Sequence, residues 1–216
     1  MLMEKERRLL VEYGQKLITS GLTRGTGGNL SIFSREEKLM AITPTGMDYF
    51  KTKLEDIVVM NLKGKIVDGN RMPSSEYEMH KIFYENREDI NAIIHAHTVY
   101  ATTLACLNWD LPPVHYLVAL AGHNVRCAKY ATYGTKELAE NALDAMKDRR
   151  AVILANHGLL AGANDLLNAF NIAEEIEYCS EIYCRVKSIG DPVILQKEEM
   201  DLMVEKFKTY GQKREN

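Results

Sequence analysis

The run NAIIHAHT, residues 91–98, most constrains the fold of this chain, because so apolar a stretch bounded by polar residues reads as a buried β-strand. His95 and His97 stand at its end. Side chains on a strand alternate between faces, so positions i and i+2 project the same way and two imidazoles converge on one point. A second apolar run, AVILANHG, ends in His157. Glu76 follows Pro73-Ser74-Ser75 at the expected start of a helix. Three imidazoles and one carboxylate make a zinc shell.

The rest of the chain supplies the frame. Leu9, Leu10, Tyr13, Leu17 and Ile18 form one stripe of a helix from Lys5 to Ser20, with Gly21 where a helix would stop. Short β-like runs follow the segment Gly25-Thr26-Gly27-Gly28-Asn29: LSIF, LMAIT, DIVVMNL and, after a turn at Lys63-Gly64, KIVDG. Helices and strands then interleave. A helix is expected from Ser75 to about Asn86, then the His95 strand, a helix from about Tyr100 and a strand near Val125. A helix from Lys136 to Arg149 leads into the His157 strand, and a long helix covers roughly Leu166 to Ile189. This order predicts an α/β fold, a three-layer αβα arrangement whose central sheet is mixed, mainly antiparallel and covered by helices. Residues 1–216 suit a single domain.

Composition narrows the partners. With 27 basic and 30 acidic residues spread evenly, the chain has no electrostatic footprint for nucleic acid. No apolar stretch approaches the length of a membrane span, and the charged start MLMEKERRLL lacks the apolar segment of a secretory signal. Cys106, Cys127, Cys179 and Cys184 have no C-x-x-C spacing, which points to a reduced, cytoplasmic protein.

A lone histidine in apolar surroundings is usually a hydrogen-bonded core residue, and His80, His115 and His123 are read that way. His95, His97 and His157 differ because all three lie at apolar strand ends, where sites form in α/β folds. Neutral imidazoles leave a bound ion its full charge, so the shell suits catalysis rather than scaffolding. Glu76 is a fourth ligand, a general base, or both in turn; the plain alternative is a glutamate complementing a helix dipole.

Three loops rich in small or hydroxyl residues suit a phosphate: Gly25–Asn29, Thr43-Pro44-Thr45-Gly46 and Ser74-Ser75. Nucleotide motifs do not fit. G-x-G-x-x-G would need glycine at Leu30, and no Gly-Lys-Ser/Thr follows. A small phosphorylated substrate beside a zinc ion is what remains.

Taken together, GTGGNLS, ITPTG, PSSE, the His-x-His strand, PPVHYLVALAG, ANHGL and EKFKTYG resemble the class II zinc-dependent aldolases of the fuculose-phosphate type, grouped with ribulose-phosphate 4-epimerases. The resemblance implies that Glu76, His95, His97 and His157 hold zinc, with Glu76 also moving protons. It implies that Gly28, Asn29, Thr45, Gly46, Ser74 and Ser75 bind the phosphate of a ketose. It further implies that Tyr116 acts at the aldehyde-side oxygen from a neighbouring subunit of a homotetramer whose active sites lie at subunit interfaces. Phe207 and Tyr210 would belong to a C-terminal tail, about residues 198–216, that covers the site. The implied reaction is cleavage of L-fuculose 1-phosphate to dihydroxyacetone phosphate and L-lactaldehyde, with epimerisation or cleavage of another ketose 1-phosphate as alternatives. Two departures stand out: Gly27 takes the place of an alanine and Asn156 that of a histidine. Rival readings are a Schiff-base aldolase using Lys129, a dehydratase of the same fold, and a non-enzymatic interaction module.

Overall fold

The computed structural model describes residues 1–210. Among them the chain builds one eight-stranded sheet in the order β4-β3-β2-β1-β5-β8-β7-β6. Its strands are β1 (Asn29–Ser34), β2 (Leu39–Ile42), β3 (Val58–Asn61), β4 (Ile66–Asp68), β5 (Ala92–Ala96), β6 (Cys127–Ala128), β7 (Ala151–Leu154) and β8 (Gly158–Ala163). The helices are α1 (Glu4–Thr19), α2 (Tyr77–Asn86), α3 (Val99–Leu107), α4 (Lys136–Ala145), α5 (Leu166–Ile189) and α6 (Lys197–Phe207).

Neighbouring strands run antiparallel except β6 and β7, which are parallel. Two apolar clusters divide the layers. On one face Leu30, Ala92, Ile94 and Ile153 pack with Leu10 and Leu17 of α1, Leu104 of α3 and Ile176 of α5. On the other, Met40, Ile93, Val152 and Leu160 pack with Met79 and Phe83 of α2 and Leu138 and Ala142 of α4. Alternate residues of β5 thus enter opposite clusters, and every residue of the strand is buried. Each of its isoleucines removed from water contributes about 2 kcal/mol. The expected αβα arrangement with a mainly antiparallel sheet is what forms.

The structure adds two elements, β8 and α6, and moves His157. His157 does not end a strand that continues into a helix; it sits in the turn of a hairpin between β7 and β8. The sequence GLLAGA of β8 was not foreseen because its glycines look like breaks. Gly162 is where Ile90 and Met146 pack: a Cβ there would lie 3.1 to 3.2 Å from their side chains. The C-terminal segment begins as α6, whose Met200 is buried; residues 211–216 of the expected tail lie outside the described residues.

Arg7 of α1 is buried at 1 % exposure and ties that helix to the sheet. Its guanidinium donates to the carbonyls of Leu54 and Ile57 and to Asp68. No helix among the described residues is long and apolar enough to cross a membrane.

Candidate metal centre

The register of the sheet builds the centre. Asn29, first in β1, pairs with His95 in β5, and His95 pairs with Leu160 in β8. The end of β5, the start of β1 and the β7–β8 turn therefore meet at one end of the central strands. His95 and His97 do face the same point: their Nε2 atoms are 3.0 Å apart. His157 joins them, and the three ligand nitrogens lie within 4.8 Å of one another. Glu76, the residue just before α2, places Oε2 at 3.3 Å from His95 Nε2 and Oε1 at 3.4 Å from His157 Nε2. A tetrahedral shell with bonds of about 2.0–2.1 Å has donor-to-donor edges of about 3.3–3.4 Å, so the two Glu76 spacings fit an ion of zinc's size.

Hydrogen bonding points the same way. His95 Nδ1 donates to the carbonyl of Leu159 at 3.0 Å, which leaves its Nε2 as a bare lone pair aimed at the centre. Burial holds His95 down to about 3, so the ring stays neutral and able to ligate. His157 is likewise shifted down by burial. Burial works to raise the Glu76 carboxyl, but the imidazoles of His95 and His157 and the Asn29 amide outweigh it, and the net shift is downward. Among the described residues, buried Glu76 Oε1 has no hydrogen-bond partner. An orphaned carboxylate oxygen beside inward lone pairs is what a cation would satisfy.

The loops assemble around this point. An isolated bridge joins Pro44 to Pro73, and Ser74 N donates to the carbonyl of Thr43 at 3.0 Å, so the hydroxyl-rich loops travel together. A cavity of about 380 Å³ is lined by Gly28, Asn29, Thr45, Gly46, Ser74, Ser75, Glu76, His97 and His157. Among the described residues no lysine or arginine lines it. An anion there would meet backbone N–H groups, hydroxyls and the start of α2. Gly28 is required as such: its φ is +73° and a Cβ would lie 2.5 Å from the His95 carbonyl oxygen.

Tyr130 and Tyr133 also line the cavity, 60 % and 66 % exposed, and sequence reasoning missed them. Their loop is pressed against the site at Gly134, whose Cβ would lie 2.9 Å from the Ser75 carbonyl. The signal was the glycine-closed KYATYG itself. Asn156 lines the cavity at φ +53°, a left-handed conformation that asparagine tolerates well.

Other residues go elsewhere. Tyr116 does not line the cavity; it is 45 % exposed and stacks on Phe207 at 6.2 Å between ring centroids. Tyr210 packs edge-on against Phe207. Within one chain these three aromatics cluster with each other, outside the cavity that holds His97 and His157. Lys129 is exposed and lacks the burial a Schiff-base lysine needs. His115 and His123 are half-buried rather than core residues. The first accepts from Leu117 N, and the second pairs with Asp201 at 2.7 Å.

Residues 8–184 match the model of the class II aldolase and adducin N-terminal domain. The chain belongs to this family. It is 58 % identical over 212 residues to a 5-deoxy-D-ribulose 1-phosphate aldolase of Bacillus thuringiensis serovar kurstaki, covering 98 % of this chain and all of that one. It is 40 % identical to an L-fuculose phosphate aldolase of Escherichia coli, covering 97 % of this chain and 98 % of the other. Among solved structures, an L-fuculose 1-phosphate aldolase superposes with a TM-score of 0.95 at 62 % identity, covering 96 % of this chain and 98 % of that one. The chain is thus a class II aldolase, an aldehyde-lyase of carbohydrate chemistry, and its family depends on a metal.

Proposed function

We propose that this class II aldolase uses zinc to cleave a ketose 1-phosphate between C3 and C4, releasing dihydroxyacetone phosphate and a short aldehyde. The observation that carries the reading is a carboxylate with an orphaned oxygen set among three imidazoles at the wall of a hydroxyl-lined cavity. Glu76, His95, His97 and His157 would hold the ion. When bound, it supplies a Lewis acid beside the ketose carbonyl. Gly28, Asn29, Thr45, Gly46, Ser74 and Ser75 bind the phosphate and fix the carbon chain across the opening. Removal of the C4 hydroxyl proton turns that carbon into an aldehyde as the C3–C4 bond breaks. The electron pair stays with C3, and Glu76, once it has taken up a proton from solvent, delivers that proton to C3.

Two substrates share this phosphorylated half. The 58 % relative supports 5-deoxy-D-ribulose 1-phosphate, which would release acetaldehyde. The 40 % relative supports L-fuculose 1-phosphate, which would release L-lactaldehyde. Because Tyr116 and Phe207 lie away from the cavity of their own chain, we assign them to the site of an adjacent copy in a homotetramer, with Tyr116 taking the C4 hydroxyl proton and Tyr210 closing over the opening.

A coupled assay for dihydroxyacetone phosphate across both substrates tests the reaction. Activity should vanish on chelation and return with zinc; a Glu76→Gln protein with full activity would sink the role given to that carboxylate. Mixing inactive Tyr116→Phe and His97→Ala proteins should restore part of the activity if sites are shared between copies.

A further inference from the structure

His80 has no part in the chemistry above, yet it is fully buried one helical turn beyond Glu76. Its Nδ1 lies 2.7 Å from Ser31 Oγ, which in turn meets Tyr84 Oη, and its Nε2 meets Asn29 Oδ1. The Asn29 amide nitrogen then donates to Glu76 Oε2 at 2.8 Å. Asn29, Ser31, Glu76 and Tyr84 are all buried with it.

The hydrogens of this chain can be placed by elimination. An ionised carboxylate only accepts, so Asn29 must turn its nitrogen to Glu76 and its oxygen to His80. An amide oxygen only accepts, so His80 must carry its proton on Nε2. Burial pushes the ring down to about 4, so it is neutral and Nδ1 is a bare lone pair. Ser31 therefore donates to Nδ1, and its oxygen is left to accept from Tyr84. Every donor points toward Glu76 from His80 onward, and every donor points toward His80 from Tyr84.

We propose that His80 is a positioning residue for Glu76: its Nε2–H holds the Asn29 oxygen, fixes which way that amide faces, and through it restrains one oxygen of the carboxylate. The amide could otherwise rotate, and a phosphate in the cavity would compete for its nitrogen. With His80 in place one N–H stays on Glu76 and the other is left for the substrate side. The tautomers follow. His80 is protonated on Nε2, whereas His95, fifteen residues later and equally buried, is protonated on Nδ1.

The consequence for catalysis rests on the reaction proposed above; the proton arrangement does not. Nitrogen-15 NMR of the metal-free protein near neutral pH reads both rings directly. Opposite tautomers at His80 and His95 are expected; His80 protonated on Nδ1, or on both nitrogens, would overturn the proposal. A His80→Phe protein keeps the ring volume and removes both hydrogen bonds. It should bind zinc about tenfold more weakly and lose about tenfold in kcat with KM little changed, as outer partners of metal ligands commonly do. His80→Gln, which retains an N–H for Asn29, should recover part of both losses. Zinc affinity and kcat unchanged in a folded His80→Phe protein would refute the positioning role. If the wild-type protein cleaved no ketose phosphate, the proposed reaction would fall, while the tautomers and the zinc affinity would still decide this point.

Discussion

Gly28 and Gly46 line the same cavity with positive φ values of +73° and +61°, yet alanine should act very differently at the two. At Gly46 an added Cβ meets nothing within 4 Å among the described residues, so the left-handed backbone is what resists it. That costs about 1 kcal/mol. At Gly28 the same methyl would lie 2.5 Å from the His95 carbonyl oxygen and 3.3 Å from Ala96 Cα. The His95 backbone cannot yield easily, being paired to β1 on one side and β8 on the other. Adding about 1–3 kcal/mol for the forced overlap gives a total of about 2–4 kcal/mol. For a chain of this size each kcal/mol lowers the melting temperature by about 2–4 °C. Gly28→Ala should therefore melt roughly 5–15 °C lower, and Gly46→Ala only about 2–4 °C lower. Scanning calorimetry with the metal chelated isolates the chain's own stability, since a bound ion adds to the folded state alone. Zinc titration should then show weaker binding in Gly28→Ala, because the strand that must shift carries His95. Melting temperatures of the two variants within about 2 °C of each other would refute the reasoning.

Acid should weaken the fold through His80, whose ring protonates near 6.5 when unfolded and only at about 4 when folded. The unfolded chain binds more protons in that window, so stability is present above about 6.5 and is lost as pH falls toward 4, by about 3 kcal/mol in all and about 2 kcal/mol by pH 5. His95, held down to about 3, adds in the same direction. Urea unfolding at about pH 7.5 and 5 should show a smaller loss in His80→Gln than in the wild type; equal losses would contradict it. Replacing Arg7 with methionine strips partners from the Leu54 and Ile57 carbonyls and should cost about 2–4 kcal/mol, with kcat of the folded protein unchanged. Gly27→Ala would place a methyl 3.1 Å from His97 Nδ1 and 3.0 Å from Thr23 Oγ1, and a zinc titration should show binding a few-fold weaker as His97 gives way.

The residues that meet at the candidate metal centre were legible in the sequence because each carries a local signature. His95 and His97 share a strand face, Glu76 follows a Pro-Ser-Ser start, and the glycine and hydroxyl loops announce themselves by composition. His80 was not legible, since nothing around a single histidine on a helix tells a partner in a hydrogen-bond chain from any other core residue. Only the packing of α2 on the sheet brings Ser31 and Asn29 against it. β8 escaped for a related reason: small residues chosen for close packing against Ile90 and Met146 resemble a loop until the neighbours are known. Tyr130 and Tyr133 enter the cavity through a contact between Gly134 and Ser75, almost sixty residues apart in sequence. Tyr116 and Phe207, which the proposed function assigns to the site of an adjacent copy, carry no such local signature.

The pairing of Asn29 with His95 also sets an order of events during folding. The β1–β2, β2–β3, β3–β4 and β7–β8 contacts join strands adjacent in sequence and close quickly. β1 meets β5, and β5 meets β8, only across connections of about sixty residues, whose closure is slow. Glu76, His95, His97 and His157 come from segments joined by those slow steps. An ion offered to the nascent chain finds no assembled shell until the sheet is joined through its middle, so metal uptake should report the last stage of folding rather than guide the first.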